Sequence, residues 1–205
     1  YVRTNVKKSR RFGLEISNTL NTNRLMISTS LSLSKNLVYN FKEYIYDYGS
    51  DFSEYNTIIN NFDVTNIAFS PSVIGNNFIE WRLNKNFNLA WKTKYVSSQY
   101  LDNTSNKNRT INSFFINDFE INASFINNLF NNLFFKISIN NIFNRMYSSN
   151  GYTFGYYGGL DYEVRENYYY PQAGRNFMFT FNLKIWYEGN TWDQHVSSFG
   201  RRRKK

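Results

Sequence analysis

The sequence has no cysteine, one histidine and two prolines in 205 residues. Without cysteine it has no disulfide framework, no thiolate nucleophile and no cysteine-bound zinc. A single histidine, His195, rules out a multi-histidine metal site and leaves little for a histidine relay. No window holds the roughly 18 to 20 apolar residues that a membrane-spanning helix requires. No glycine-rich phosphate loop leads into a lysine, and neither an HExxH motif nor an elbow serine is present. Asp118 and Glu120 lie two apart, on one face of an alternating segment, and read as a polar surface ahead of an acid–base pair. The expectation is therefore a protein without a catalytic site, a metal or a cofactor.

What the sequence has in abundance is aromatic side chains, 20% of the chain, although the mean hydropathy is −0.57. So many aromatics with so few prolines argue against disorder. A polar average and a heavy aromatic load are reconciled by strands with one apolar and one polar face. The net charge of +9 is concentrated at one end: Arg201, Arg202, Arg203, Lys204 and Lys205 form a single run. Without them 19 positive charges face 15 negative, and the remaining +4 shows no basic stripe of the kind nucleic acid needs. No partnership with nucleic acid is expected. The run belongs to a segment, 188–205, expected to be a disordered or added tail beyond a structural unit at 1–187. The chain opens at Tyr1 without a signal peptide and passes quickly into a strand-like segment, which reads as part of a longer protein.

Period-two alternation is plain along the chain. Leu25, Ile27, Thr29, Leu31 and Leu33 alternate with Met26, Ser28, Ser30, Ser32 and Ser34. Phe177, Phe179, Phe181, Leu183 and Ile185 alternate with Met178, Thr180, Asn182 and Lys184. Similar faces run through 87–95, 115–125 and 135–143. A helix would mix the two sets on every face, whereas a strand separates them. Short asparagine-rich connections at 21–23, 84–86 and 127–132 read as tight turns, since asparagine tolerates left-handed backbone angles. Long connections at roughly 41–65, 99–110 and 147–174 alternate with them. The pattern predicts an all-β fold of about seven long strands, near 10–20, 24–40, 66–82, 87–98, 111–126, 133–147 and 175–186. All are expected to be antiparallel neighbours in a meander.

Short turns on one rim and long loops on the other are the layout of an outer-membrane barrel. Its strands need about 9 to 11 residues to cross the bilayer. The polar faces carry Glu15, Lys92, Lys94, Asp118, Glu120, Lys136 and Lys184. In a dry core, unpaired charges cost several kcal/mol each; in a wet or plugged lumen they are solvated or paired. Two alternatives stay open on pattern alone. One is a small closed outer-membrane barrel, passive or structural. The other is a soluble β-rich binding module with its apolar face packed inside.

Five stretches, in order, resemble the C-terminal barrel region of TonB-dependent outer-membrane receptors of the Bacteroidetes type. They are SRRFGLE at 9–15, NIAFSPSV at 66–73, KYVSSQYLDN at 94–103 with SFFIND at 113–118, NNIFNRMY at 140–147 and YYPQAGRNFMFTFNLKI at 169–185. The resemblance covers nearly the whole chain to about residue 186. It implies the closing stretch of a larger transmembrane barrel, an open sheet when taken alone, located in the bacterial outer membrane. It implies import of a scarce nutrient into the periplasm, by default an iron complex such as a siderophore or haem. TonB and the plug domain would engage only through segments outside this chain. Outer-membrane lipid and the barrel assembly machinery are the other implied partners.

Phe177, Phe179, Phe181, Leu183 and Ile185 resemble the terminal signal that this machinery reads by strand addition. The family ends in an aromatic there; Ile185 is followed by Trp186 and a further run of chain, which departs from the pattern. Cargo contacts are expected on the long connections, where function concentrates. The candidates are Tyr46, Asp47, Tyr48, Asp51, Tyr152, Tyr156, Tyr157 and Asp161, tyrosines for stacking and carboxylates for polar contacts. Gly13 is expected where a strand bends or a plug comes close, and Pro71 near a rim or bulge.

Overall fold

The computed structural model describes residues 6–53, 55–126, 130–159 and 162–185. Its strands in chain order are β1 (Lys8–Asn21), β2 (Leu25–Asp47), β3 (Asn56–Asn66), β4 (Val73–Arg82), β5 (Phe87–Val96) and β6 (Gln99–Tyr100). They continue with β7 (Thr110–Ile111), β8 (Phe114–Phe125), β9 (Phe130–Asn140), β10 (Ser148–Tyr157), β11 (Val164–Pro171) and β12 (Asn176–Ile185). Seven of these, β1, β2, β4, β5, β8, β9 and β12, pair in sequence as one curled antiparallel sheet. Each corresponds to one of the strands expected from the alternation. Among the described residues no ladder joins β1 to β12, so the sheet is open, as expected for part of a barrel. The small closed barrel is thereby set aside.

The alternation survives pairing. Directly paired residues share a face, and the registers carry one apolar face across all seven strands. One row runs Leu20–Ile27–Ile79–Trp91–Phe119–Ile139–Phe177 through consecutive partners. The side chains of this face are widely exposed, with Phe177 at 69% and Phe179 at 68%. The opposite face carries the charges. There Glu120 accepts from Lys92 Nζ at 2.7 Å and pairs with Lys136 Nζ at 3.1 Å. One row on the apolar face is polar: Asn18, Thr29, Asn77, Thr93 and Asn117 are consecutive partners on β1, β2, β4, β5 and β8. Thr29 Oγ1 donates to Asn77 Oδ1 at 3.1 Å, and Thr93 Oγ1 to Asn117 Oδ1 at 2.8 Å.

The short turns form as their residues dictate. Thr22 closes the β1–β2 turn, its amide donating to the Leu25 carbonyl at 2.8 Å. Asn84 Oδ1 accepts from the amides of Asn86 and Phe87 at 2.8 and 3.0 Å, an asparagine turn between β4 and β5. Gly13 is needed because a β-carbon there would run into the Leu33 carbonyl on the paired β2 backbone. The close approach seen at Gly13 is to a neighbouring strand. Pro71 lies between β3 and β4, outside any ladder, and its carbonyl accepts from Ser34 Oγ at 3.1 Å. This agrees with the rim position expected of it.

The three long connections depart from expectation. They are not loops but β-ribbons. β2 runs on to Asp47 and returns as β3; β6 and β7 make a small hairpin; β10 and β11 make a third ribbon. Strands β4 and β9 are correspondingly shorter than expected: β4 begins at Val73 and β9 ends at Asn140. The meander is also broken once. Tyr156 and Tyr157 of β10 pair in parallel with Tyr46 and Asp47 of β2. At Asn40 the backbone enters the left-handed region, φ 53°, which asparagine tolerates. Below it the even-numbered residues of β2 are the more buried set, above it the odd-numbered, up to Ile45. The ribbon therefore turns its other side towards its neighbours.

Candidate functional site

β2, β5 and β9 run in the same direction, so the three long connections leave the wall at the same rim. There they meet. Most of the buried apolar residues among those described gather at this rim: Val38, Ile45, Val96, Leu101, Ile111 and Phe114. The β6–β7 hairpin sits between the other two ribbons. The amide of Phe69 donates to the Tyr100 carbonyl at 3.0 Å, and that of Ala68 to Asn103 Oδ1 at 2.7 Å. On its other side Asn167 Nδ2 donates to the Asn108 carbonyl at 2.7 Å, and the Tyr169 hydroxyl to the Thr110 carbonyl at 3.0 Å. Gly151 lets β10 approach, since a β-carbon there would meet the Tyr168 carbonyl and Leu101.

At the centre lies Arg109, 6% exposed. Its Nη1 donates to Glu43 Oε1 at 2.6 Å and to Asp102 Oδ2 at 3.0 Å; its Nη2 donates to Glu163 Oε2 at 3.1 Å. Arg165 Nη2 donates to the same Glu43 Oε1 at 2.9 Å and also to Glu163. Glu43 comes from the first ribbon, Asp102 and Arg109 from the second, Glu163 and Arg165 from the third. Burial works against the charge on Arg109, but Glu43 and Asp102 outweigh it and hold its pKa above the ordinary arginine value. The Arg109 guanidinium therefore stays charged at every accessible pH. Sequence reasoning missed all five residues. Glu43 and Arg109 stand 66 positions apart, Arg109 and Glu163 54 apart, and nothing local marks them as partners.

The expected cargo residues divide into two groups. Tyr46, Tyr48 and Tyr156 come together, with Phe52 and Tyr55 added. Tyr46 stacks on Tyr55 at 4.8 Å between ring centroids, and Tyr156 lies 6.2 Å from Tyr48 and 6.1 Å from Phe52. The Tyr157 carbonyl accepts from the Tyr48 amide at 2.9 Å, joining the first and third ribbons. Hydrogen bonding to Tyr46 raises the Tyr55 phenol. Asp47 turns inward to the backbone: Oδ1 accepts from the amides of Gly49 at 3.0 Å and Gly159 at 3.4 Å. Asp51 accepts from the Ser53 hydroxyl at 2.7 Å, which lowers its carboxyl below the usual range. Tyr152 belongs elsewhere, stacked on Tyr168 at 4.8 Å and 12° on the exposed side of β10–β11. Asp161, Trp186, His195 and the tail 188–205 lie outside the described residues, as does the side chain of Ile185.

No protein-family profile matches the sequence, and no curated protein matches it. Several solved structures are similar, among them two receptors. One is the closed form of the ferric-catecholate import receptor Fiu of E. coli K12, with a TM-score of 0.57 and 16% identity over 85% of this chain and 21% of that one. The other is the siderophore receptor PiuA of Acinetobacter baumannii, with a TM-score of 0.63 and 14% identity over 85% of this chain and 22% of that one. At these identities the likeness is one of fold: an open stretch of a large receptor barrel. The chain spans about a fifth of each receptor.

Proposed function

We propose that this chain is the closing part of a TonB-dependent outer-membrane receptor that carries an iron complex, a siderophore or haem, into the periplasm. The observation that supports it most is the continuous apolar face, held in register across seven strands and widely exposed, opposite an ion-paired concave face. That is the arrangement a barrel wall needs between lipid and a wet or plugged lumen. The fold shared with two receptors of iron-binding molecules, Fiu and PiuA, points the same way for cargo. Those structures come from E. coli and Acinetobacter baumannii, so the Bacteroidetes type rests on the sequence stretches alone.

In this reading the wall strands cross the outer membrane and the three ribbons stand outside it. TonB and the plug act through parts of the receptor beyond this chain, and β12 is the strand presented to the barrel assembly machinery. Cargo meets Tyr46, Tyr48 and Tyr156 by ring stacking, Asp47 holds the ribbon tips, and Asp51, Tyr152, Tyr157 and Asp161 are further proposed contacts. No bond of the cargo is made or broken. Deletion of the gene, followed by growth on single iron complexes under iron limitation, tests the proposal. The expected result is loss of growth on one class of complex, restored by the intact gene and weakened by Tyr46→Ala with Tyr156→Ala. Unchanged uptake of every iron complex would refute the cargo.

A further inference from the structure

The three ribbons are joined in a way that no import mechanism requires. We infer that they form one rigid cap which opens only as a unit, and that Arg109 is its lock. Among the described residues Arg109 is the single side chain that contacts carboxylates of all three ribbons, through Glu43, Asp102 and Glu163. Arg165 closes the circuit by pairing Glu163 of its own ribbon with Glu43 of the first. The side chains of all five are at most 20% exposed. A ribbon that swung out alone would strand charges in a poorly hydrated place, which is strongly unfavourable. Movement of the cap as one body leaves every pair intact.

Two further sets of bonds support the same coupling without Arg109. Backbone and side-chain bonds tie the 66–69 segment to the β6–β7 hairpin through Asn66, Ala68 and Phe69. The parallel pairing of Tyr46 and Asp47 with Tyr156 and Tyr157 ties the first ribbon to the third at the tips. These contacts lie apart from the ion cluster, so the joint is distributed while the charge at its centre sets the cost of breaking it. Cargo would then be admitted by displacement of the whole cap relative to the wall, not by one ribbon acting as a flap.

Hydrogen–deuterium exchange of the full receptor in detergent or nanodiscs, without cargo, tests this. It stands apart from the transport reading because no cargo or energy source is involved. In the wild type, segments 43–48, 99–111 and 151–157 are expected to exchange through one common opening, at rates within about tenfold of each other. Arg109→Met is expected to raise exchange in all three, including 151–157, by roughly a hundredfold. β4 and β5 in the wall should remain unchanged. Arg109→Lys, which keeps a charge but loses the fork, should fall between. Arg165→Met gives the same test with the hairpin's own residues intact, should Arg109→Met fail to assemble. Separate opening rates in the wild type, or faster exchange confined to 99–111 in the variants, would overturn the proposal.

Discussion

A single arginine, moved by one residue along β2, tests which face of the sheet meets lipid. Leu31 lies on the apolar face, paired with Ile16 and Gly75; Ser30 lies on the concave face, paired with Ser17 and Asn76. The apolar set of β2 runs from Leu25 to Leu33. At about 3.4 Å per residue and a tilt of about 40°, it spans roughly 20 Å of depth. Leu31 then sits roughly 5 Å from the midplane, where an arginine on the lipid side costs about 2–3 kcal/mol. Leu31→Arg is expected to lower the folding equilibrium of the full barrel by roughly 30- to 150-fold. Ser30→Arg gives up only the 3.3 Å bond from Asn76 Nδ2 on a wet face, less than about 1 kcal/mol. Denaturant unfolding in lipid vesicles measures both, followed by tryptophan emission and by the mobility shift of folded barrels on unheated gels. Equal costs, or a larger cost at Ser30, would mean that the apolar face of β2 does not meet the bilayer, and the membrane reading would fall.

Other outcomes follow from particular contacts. Asn141 is buried and left-handed at φ 50°; its side chain donates to the carbonyls of Arg145 and Ala173 and accepts from the Arg145 amide. Asn141→Ala should cost about 2–4 kcal/mol by the same unfolding assay, from lost bonds and backbone strain together. On the concave face Lys92 keeps 42% of its side chain exposed, so a double-mutant cycle of Glu120→Gln with Lys92→Met should give a coupling of only about 0.5–1 kcal/mol. The Tyr168 phenol is raised by its hydrogen bond to Glu166 and by that carboxylate's charge. Ultraviolet titration should show tyrosines ionising above the usual value of about 10, and Tyr168→Phe should reduce their number by one. Because the folded-state value is raised, the stability from that bond is complete below the ordinary tyrosine range and is lost as pH climbs through the raised one.

The wall was legible because its information is local. Alternation within Leu25–Leu33 or Phe177–Leu183 assigns faces without knowledge of any neighbour, and asparagine turns such as Asn84–Asn86 mark where strands reverse. The ribbons were not legible for the opposite reason. Tyrosine, aspartate and glycine at 44–51 and 152–163 suit an exposed loop and a β-ribbon equally, and pairing partners decide between them. Tyr156 finds Tyr46 across 110 positions, in parallel, which no local pattern encodes. Of the tyrosines named there as cargo contacts, Tyr46, Tyr48 and Tyr156 lie together, a meeting that depends on the same distant pairing. The ion cluster was invisible because each member looks like an ordinary solvated charge until three distant segments are brought to one rim.

The polar row across the apolar face has a further consequence, for how the wall finds its alignment. Alternation with a period of two forbids a slip by one residue, because every side chain would change face. It is blind to a slip by two, which keeps all apolar groups outside. The row removes that degeneracy. Shifted by two, Thr29 would oppose Ile79 or Gly75 instead of Asn77, and Asn117 would oppose Trp91 or Tyr95 instead of Thr93. Each hydroxyl or amide left alone on an apolar surface costs about 1–3 kcal/mol. Asn18, Thr29, Asn77, Thr93 and Asn117 thus act as alignment marks, read strand by strand as the sheet zips, that tell the correct frame from its nearest mimic.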